Sequence, residues 1–426
     1  MLDIQYILSH TDEIQTVADQ KGIKLSVESL VKTYEERRTL IQQIENMRAT
    51  RNNLTKGISV LAREKNKAIE AKKEDVRELN QRIKEDEKHL NEVQNSYNGL
   101  MNLVPNIVSK DTPIGLSDED NVEIKRVGEV REFNFAIKDH MELAEIHDMF
   151  DIPRGVKVAG TRNYFLKNKG LTLHRAVQQL ALDVLHSKGF TLMDVPIMAN
   201  RNVLYTSGFF PTGEDQTYHL TKDDKYLVGT SEVPLIGYYS NEVIDVKYPI
   251  KLAAVSNCFR REAGSGGRDV RGLYRVHQFA KVEQVILCKN DLDLSNRLLE
   301  EITNNAKEIL NLLELPYRVV SVCTGDLSQK NYKQYDIETW MPSRESYNET
   351  HSSSNVLDFQ TRRSSIRYKD EEGKTHYCYS LNNTAVATPR ILIPLMENHQ
   401  QEDGSIYIPK ALRKYMYDEE YIKRSN

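Results

Sequence analysis

Between residues 44 and 100 the apolar positions fall into two series with helical spacing. Met47, Leu54 and Leu61 lie seven apart, with Ile44 and Ile58 on the neighbouring seam and Arg51 between them. A second series runs Leu79, Ile83, Leu90, Val93, Tyr97, Leu100, and only Asp86 interrupts it. These are the gaps of a heptad seam, and the charged, turn-capable stretch near Lys67 to Asp75 separates the two. The spacing predicts two long helices folded back on each other as an antiparallel hairpin. A dimerisation coiled coil fits the same spacing. Val104-Pro105-Asn106 ends the second helix, and residues 111–130, polar and holding Pro113 and Gly115, read as a linker.

From about residue 131 to 426 the pattern changes. Val177, Leu180, Ala181, Val184 and Leu185 form one apolar helix face that Gly189 stops. Short β-rich runs follow at Lys251–Ser256, Lys281–Cys288 and Tyr317–Val322. Strands come in consecutive runs without strict strand–helix alternation, which predicts an α+β domain built on an antiparallel sheet. The expected division is therefore 1–110, a linker 111–130, and 131–426.

Composition narrows the possibilities. At 426 residues the chain exceeds what one core usually serves. The charged fraction is 28% and no apolar run approaches a membrane span, so a soluble protein is expected. Met1 to Glu13 holds Asp3, Asp12 and Glu13 without Lys or Arg, unlike a secretory or organellar leader. Cys258, Cys288, Cys323 and Cys378 are scattered, which argues against a disulfide framework or zinc knuckle and for a reducing compartment. The net charge is −4, so a polyanion must be met locally. Such a patch exists at the hairpin tip. Arg48, Arg51, Lys56, Arg63, Lys65, Lys67, Lys72 and Lys73 face only Glu64 and Glu70 there, a composition suited to nucleic-acid phosphates.

Three segments hold candidate chemistry. The first, Cys258 to Glu283, reads as strand, glycine-rich loop, strand. Arg260 and Glu262 lie before the loop, and Arg268, Arg271 and Arg275 lie within it. Phe279, Lys281 and Glu283 follow on the return. Glycines let backbone approach a ligand, guanidiniums fork onto phosphate, and an aromatic ring offers a base a stacking surface. The second is Glu349-Thr350-His351-Ser352, where a carboxylate and a hydroxyl three apart offer hard oxygen ligands to Mg²⁺. The third, Leu381 to Arg390, runs into an apolar helix whose first turn accepts Pro389 and places Arg390 at its N-terminal end, where an anion is favoured.

Together these segments resemble the class II aminoacyl-tRNA synthetases, and within them the seryl-tRNA synthetases. Lys188-Gly189-Phe190 with Pro196 is similar to the first class II motif, Phe259-Arg260 through Phe279 to the second, and Pro389-Arg390 with its helix to the third. Serine-type hallmarks stand at Thr230-Ser231-Glu232, at His277 through Glu283, at Ser354-Asn355-Val356 through Arg363, and at Leu381-Asn382. The hairpin resembles the family's tRNA-binding arm.

The resemblance implies a class II catalytic domain with ATP and L-serine as substrates, Mg²⁺ as cofactor and tRNA(Ser) as partner, in a homodimer; the expected location is the cytoplasm, with the mitochondrial matrix open if a presequence was removed. Whether tRNA(Sec) is also charged stays open. It implies catalytic roles for Arg260, Glu349 and Arg390. The ATP set would be Arg260, Arg261, Glu262, Val276, Phe279, Glu349, Thr350, His351, Ser352 and Arg390, with Glu349 and Ser352 on the metal. Thr230, Ser231, Glu232, Arg260, Glu283, Asn382 and Thr384 would bind serine, and the eight basic residues of the tip would bind tRNA. Departures from the family's common pattern fall at Arg261, His351, Asn383, Thr384, Ala385 and Pro389. Two other readings compete. One is a specialised paralogue for inhibitor self-resistance or for seryl-tRNA supply to biosynthesis. The other is a non-catalytic tRNA-binding relative.

Overall fold

The computed structural model describes residues 2–63, 69–264 and 271–424, those at 60–63 in backbone only. Two compact units emerge, Leu2–Pro105 and Asn106–Asn426.

In the first unit, α1 (Val27–Arg63) and α2 (Ile69–Leu103) form the hairpin. Ser26 starts α1 by accepting a hydrogen bond from Ser29 N at 3.1 Å. Cross-helix partners run in opposite directions, Arg37 with Gln94, Arg48 with Glu87 and Arg51 with Asn80, so the helices are antiparallel. Ile44, Ile83 and Val93 are buried in the seam as the heptad spacing requires. The region from Ile69 to Asp75, expected to be turn-like, is already helical, because nothing from Ile69 to Asp75 breaks a helix. Leu61, Arg63, Lys65 and Lys67 lie outside the residues whose side chains are described.

The second unit is built on an eight-stranded sheet. Its strands are β1 (Val122–Val127), β2 (Thr191–Met193), β3 (Ile250–Phe259), β4 (Gln278–Cys288), β5 (Tyr317–Ser321), β6 (Lys333–Met341), β7 (Ser346–Leu357) and β8 (Tyr379–Thr388). They lie in the order β1-β5-β6-β7-β8-β4-β3-β2. Every pairing is antiparallel except β2 with β3. The segment expected as a polar linker contributes β1, an edge strand whose exposed residues still pair through backbone with β5, so polarity there marked an edge.

One face of the sheet is covered by α4 (Asn168–Ser187) and α6 (Leu292–Leu312), α3 being the short helix His140–Ile146 that precedes them. Val177, Leu180, Ala181 and Leu185 of α4 pack there on Ala253, Val282 and Ile286, the apolar stripe read from the sequence. Asp291 caps α6, accepting from Leu294 N at 2.9 Å. On this face the polar strand residue Gln284 takes a hydrogen bond from Asn305 at 2.8 Å. No helix among the described residues is long and apolar enough to cross a membrane.

Candidate active site

Strand register decides which side chains share the other face. In an antiparallel pair, directly opposed residues point the same way. Asp336 on β6 opposes Ser352 on β7, Ser354 opposes Asn382 on β8, Thr384 opposes Glu283 on β4, and Lys281 opposes Ser256 on β3. All of these sit on the face away from α6.

A regular strand would put Glu349 and Ser352, three apart, on opposite sides. The register slips at Thr350: His351 opposes Ile337, whereas Glu349 already opposes Glu338. That bulge brings Glu349 and Ser352 onto one face with Asp336 and Glu338. It also turns His351 back toward the helix-covered side, where its Nδ1 lies 2.8 Å from Thr350 Oγ1. Burial holds the His351 ring neutral, pushing its pKa down to about 3. Asn383 also faces the helices and ties β7 to β8 by donating to Ser352 O at 3.1 Å and Ser353 Oγ at 2.7 Å.

The two arginines singled out in the sequence approach one cavity. A pocket of about 60 Å³ is lined by Arg260, Glu262, Val276, Phe279, Glu349, Thr350, His351, Thr384 and Arg390, among others. A wider cavity of about 560 Å³ shares Arg260, Glu262, Glu349 and Arg390. The Arg260 guanidinium lies 5.2 Å from the Phe279 ring centre. Glu262 has φ 51° and meets Arg275 at 3.6 Å. Arg261 lines neither cavity; its backbone N donates to Gln216 O at 2.9 Å.

Arg390 precedes its helix. α5 (Glu232–Gly237) and α7 (Phe359–Ser364) are short, and α8 spans Leu392–His399, so Pro389 and Arg390 stand in the turn before α8 and not in its first turn. The Arg390 side chain is fixed on three sides. Nε donates to Tyr274 O at 3.2 Å, Nη1 donates to Glu349 O at 3.2 Å, and the guanidinium lies 4.3 Å from the Tyr274 ring centre. Arg344 covers the same ring at 4.4 Å, and Tyr274 Oη donates to Glu349 O at 3.2 Å. Tyr274 thus links the return of the glycine-rich loop to both cations.

Beside this cavity lie two buried carboxylates. Glu232, at the start of α5, and Glu283 are almost wholly buried. Lys281 meets Glu283 at 2.7 Å, and Thr384 Oγ1 donates to it at 3.4 Å. Burial pushes the Glu283 carboxyl up, against the pull of Lys281. Ser231 and Ser256 share a 2.6 Å hydrogen bond, and Thr230 Oγ1 accepts from Glu232 N at 3.2 Å.

A divalent cation fits the neighbourhood of Glu349. Burial, with the charge of Glu349 added, pushes the Asp336 carboxyl up to about 8. Such crowding of acidic groups beside the Ser352 hydroxyl is a hard-oxygen donor set that a cation would relieve. Among the described residues no group of three or more His, Cys, Asp or Glu is placed to hold a metal. Sequence reasoning missed Asp336, Tyr274 and Arg344. Asp336 sits in the alternating run Tyr335-Asp336-Ile337-Glu338, but only pairing with β7 reveals what it faces.

On the hairpin, Lys56 is exposed, Lys72 is half-buried, Arg48 pairs with Glu87 at 2.7 Å, and Lys73 pairs with Glu70 at 2.7 Å. Arg51 reaches Asn80 and Asn52.

Comparison with known proteins identifies the family. Residues 1–108 match the seryl-tRNA synthetase N-terminal domain, and residues 217–399 match the tRNA synthetase class II core domain (G, H, P, S and T). Serine--tRNA ligase of Deinococcus radiodurans is 40% identical over 423 residues, covering 99% of both chains. That of Borreliella burgdorferi is 40% identical over 97% of this chain and 98% of its own. The structure of seryl-tRNA synthetase from Pyrococcus horikoshii complexed with ATP superposes with a TM-score of 0.91 at 36% identity, over the full length of both. The cytoplasmic serine-tRNA ligase of Naegleria fowleri in complex with AMP gives 0.86 at 25%, over 100% of this chain and 99% of its own. With both domains matched and the likeness running end to end, this chain belongs to the seryl-tRNA synthetase family and has a class II catalytic core.

Proposed function

We propose that the chain activates L-serine with ATP to seryl-adenylate and pyrophosphate, then passes the seryl group to the 3′-terminal adenosine of tRNA(Ser). The observation that supports it best is the meeting of Arg260, Glu262, Glu349 and Arg390 on one cavity. Its setting is a chain 40% identical to serine--tRNA ligases over almost its whole length.

In this reading Arg260 holds the α-phosphate and the serine carboxylate, and Phe279 stacks on adenine while Glu262 and Val276 border it. Arg390, held by Tyr274 and Glu349, clamps the γ-phosphate. Glu283, Thr384, Thr230 and Glu232 surround the amino and hydroxyl groups of serine, and Asn382 braces Glu232. The carboxylate attacks phosphorus in line and pyrophosphate departs. No general base is required, since the nucleophile is already ionised. Charge that builds on the non-bridging oxygens meets guanidiniums fixed in advance, which supply most of the stabilisation. Glu349 and Ser352, with Asp336 behind them, would hold Mg²⁺, whose contribution is to neutralise phosphate charge and orient the triphosphate. Transfer to the ribose then depends on positioning.

The exposed apolar residues Leu171, Leu192 and Met198, around the segment similar to the first class II motif, support a homodimer formed there. The basic tip supports tRNA contact by the arm.

The test is ATP–pyrophosphate exchange with each amino acid in turn. Exchange should require L-serine and Mg²⁺ and fall by ~10³-fold or more in Arg390→Ala, since a fixed charge at the transition state is removed. Exchange that proceeds equally without serine would refute the reading.

A further inference from the structure

Glu232 is held in an unusual way. Three donors reach it, Lys330 Nζ at 2.6 Å, Gln360 Nε2 at 2.7 Å and Asn382 Nδ2 at 3.0 Å, and all three bind the same oxygen, Oε1. Among the described residues no donor meets Oε2. A carboxylate in free exchange with water shares its donors between both oxygens; one buried with every donor on one side has its remaining lone pairs aimed in a fixed direction. Asn382 reaches Glu232 from the sheet face that also bears Thr384 and Glu283, so Glu232 lies over that face.

Lys330 is the charged member of the three, and its own position is fixed. Its carbonyl accepts from Asn106 Nδ2 at 2.9 Å, the next residue, Asn331, donates to Ser354 Oγ at 3.1 Å, and its ammonium lies 4.3 Å from the Phe209 ring centre. Phe209 is part of the wall of the 560 Å³ cavity. A flexible lysine is thus pinned at its backbone, stacked along its head group and directed at a single oxygen.

We propose that Lys330 is a positioning residue for amino-acid recognition: it fixes Glu232 by Oε1 and leaves Oε2 to accept a hydrogen bond from the bound serine. Nothing in the family likeness assigns it this task, and it rests on the proposed serine activation. A neutral donor in its place would leave the carboxylate free to rotate and to share its two amide donors between both oxygens. The substrate would then meet an acceptor already occupied.

Lys330→Met keeps the length and apolar stem of the side chain and removes the charge. In ATP–pyrophosphate exchange it should raise KM for serine at least ~10-fold while KM for ATP stays within ~2-fold, a split that a general loss of structure would not give. Lys330→Arg, which restores a charged donor, should recover part of the loss. In a cycle with Glu232→Gln the two effects should be far from additive, because one acts through the other. A KM for serine within ~2-fold of the parent in Lys330→Met would overturn the proposal while leaving serine activation standing, as would additive effects in the cycle. A parent chain without serine-dependent exchange would take both down together.

Discussion

A single residue's protonation is tied to the site through a buried hydrogen-bond chain. On α4, Gln178 Nε2 donates to His174 Nε2 at 2.8 Å and also to Thr388 Oγ1 at 2.8 Å, two residues before Arg390. The imidazole must be the acceptor in that chain, so its proton is on Nδ1. Burial, with Arg175 nearby, pushes its pKa down to about 4 from 6.5. Because the folded value lies below the unfolded one, the unfolded chain takes up the proton first. The stability linked to this group is complete above pH 6.5 and lost as pH falls toward 4. The shift bounds the loss at about 3 kcal/mol, at 1.36 kcal/mol per pKa unit. His174→Gln, whose carbonyl can still accept from Gln178, should show a smaller drop in Tm than the parent over that range. Identical pH dependence in the two would sink the assignment.

The same scale shows what a sequence can and cannot reveal. Arg260, Glu262, Phe279, Glu349 and Arg390 are legible because each belongs to a short run whose residue types are unusual together. Asp336 and Lys330 are not, because they lie in ordinary-looking segments and acquire partners only through pairing of β6 with β7 and folding of the turn before it. A resemblance supplied the expected roles of Glu232 and Asn382; the geometry adds that one holds the other.

At the scale of elements, two irregularities position the site. The slip at Thr350 is what makes a carboxylate and a hydroxyl three residues apart usable together, and strand periodicity alone would have separated them. The glycine-rich loop returns to the sheet through Gly272, which has φ 88° and lies against His140 of α3: a Cβ there would come within 2.4 Å of His140 Nε2. His140 Nδ1 in turn faces Glu397 of α8 at 3.1 Å, and Leu273 N donates to His140 Nε2 at 3.4 Å. The carboxylate of Glu397, wholly buried, is further satisfied by Ser343 N at 3.0 Å and Ser343 Oγ at 2.9 Å. α3, α8 and the loop return therefore form one hydrogen-bonded block directly before Tyr274, the residue that holds Arg390. Gly272→Ala should destabilise the chain by about 2 kcal/mol or more, from the left-handed backbone and the clash together. It should also raise KM for ATP, because Tyr274 and with it Arg390 are displaced. Removing the obstacle in Gly272→Ala with His140→Ala should not restore KM, since the Leu273 bond is then lost as well. Unchanged Tm and KM in the single variant would show that the return is not held in this way.

At the scale of the whole chain, heptad spacing was enough to locate the hairpin, and strand runs were enough for the class of the second unit, because both depend on local periodicity. The order of the sheet was not, since β8 lies between β4 and β7 and no local pattern encodes such a neighbour. The division into Leu2–Pro105 and Asn106–Asn426 bears on how the activity can be dissected. All residues placed in serine and ATP recognition belong to the second unit, and the eight basic residues of the tip belong to the first. Deleting residues 48–75 keeps the seam below Arg48, where Arg37 meets Gln94 and where Ile44 and Val93 are buried, and leaves the stretch up to Glu87 as the connection. It sacrifices the exposed Arg48–Glu87 pair, worth about 0–1 kcal/mol. Serine-dependent exchange, which needs no tRNA, should therefore persist within ~2-fold, while KM for tRNA in aminoacylation should rise ~10-fold or more. Arg48 and Lys73 are already paired with Glu87 and Glu70, so Arg51, Lys56 and Lys72, which have no acidic partner among the described residues, should contribute more to that loss. The parent's KM for tRNA should climb steeply with added salt and the shortened chain's should climb less, as expected when phosphate contacts are removed. An equal salt slope and an unchanged KM would mean that the hairpin does something other than grip the nucleic acid, and the dimerising coiled coil allowed by the same heptads would become the reading to pursue.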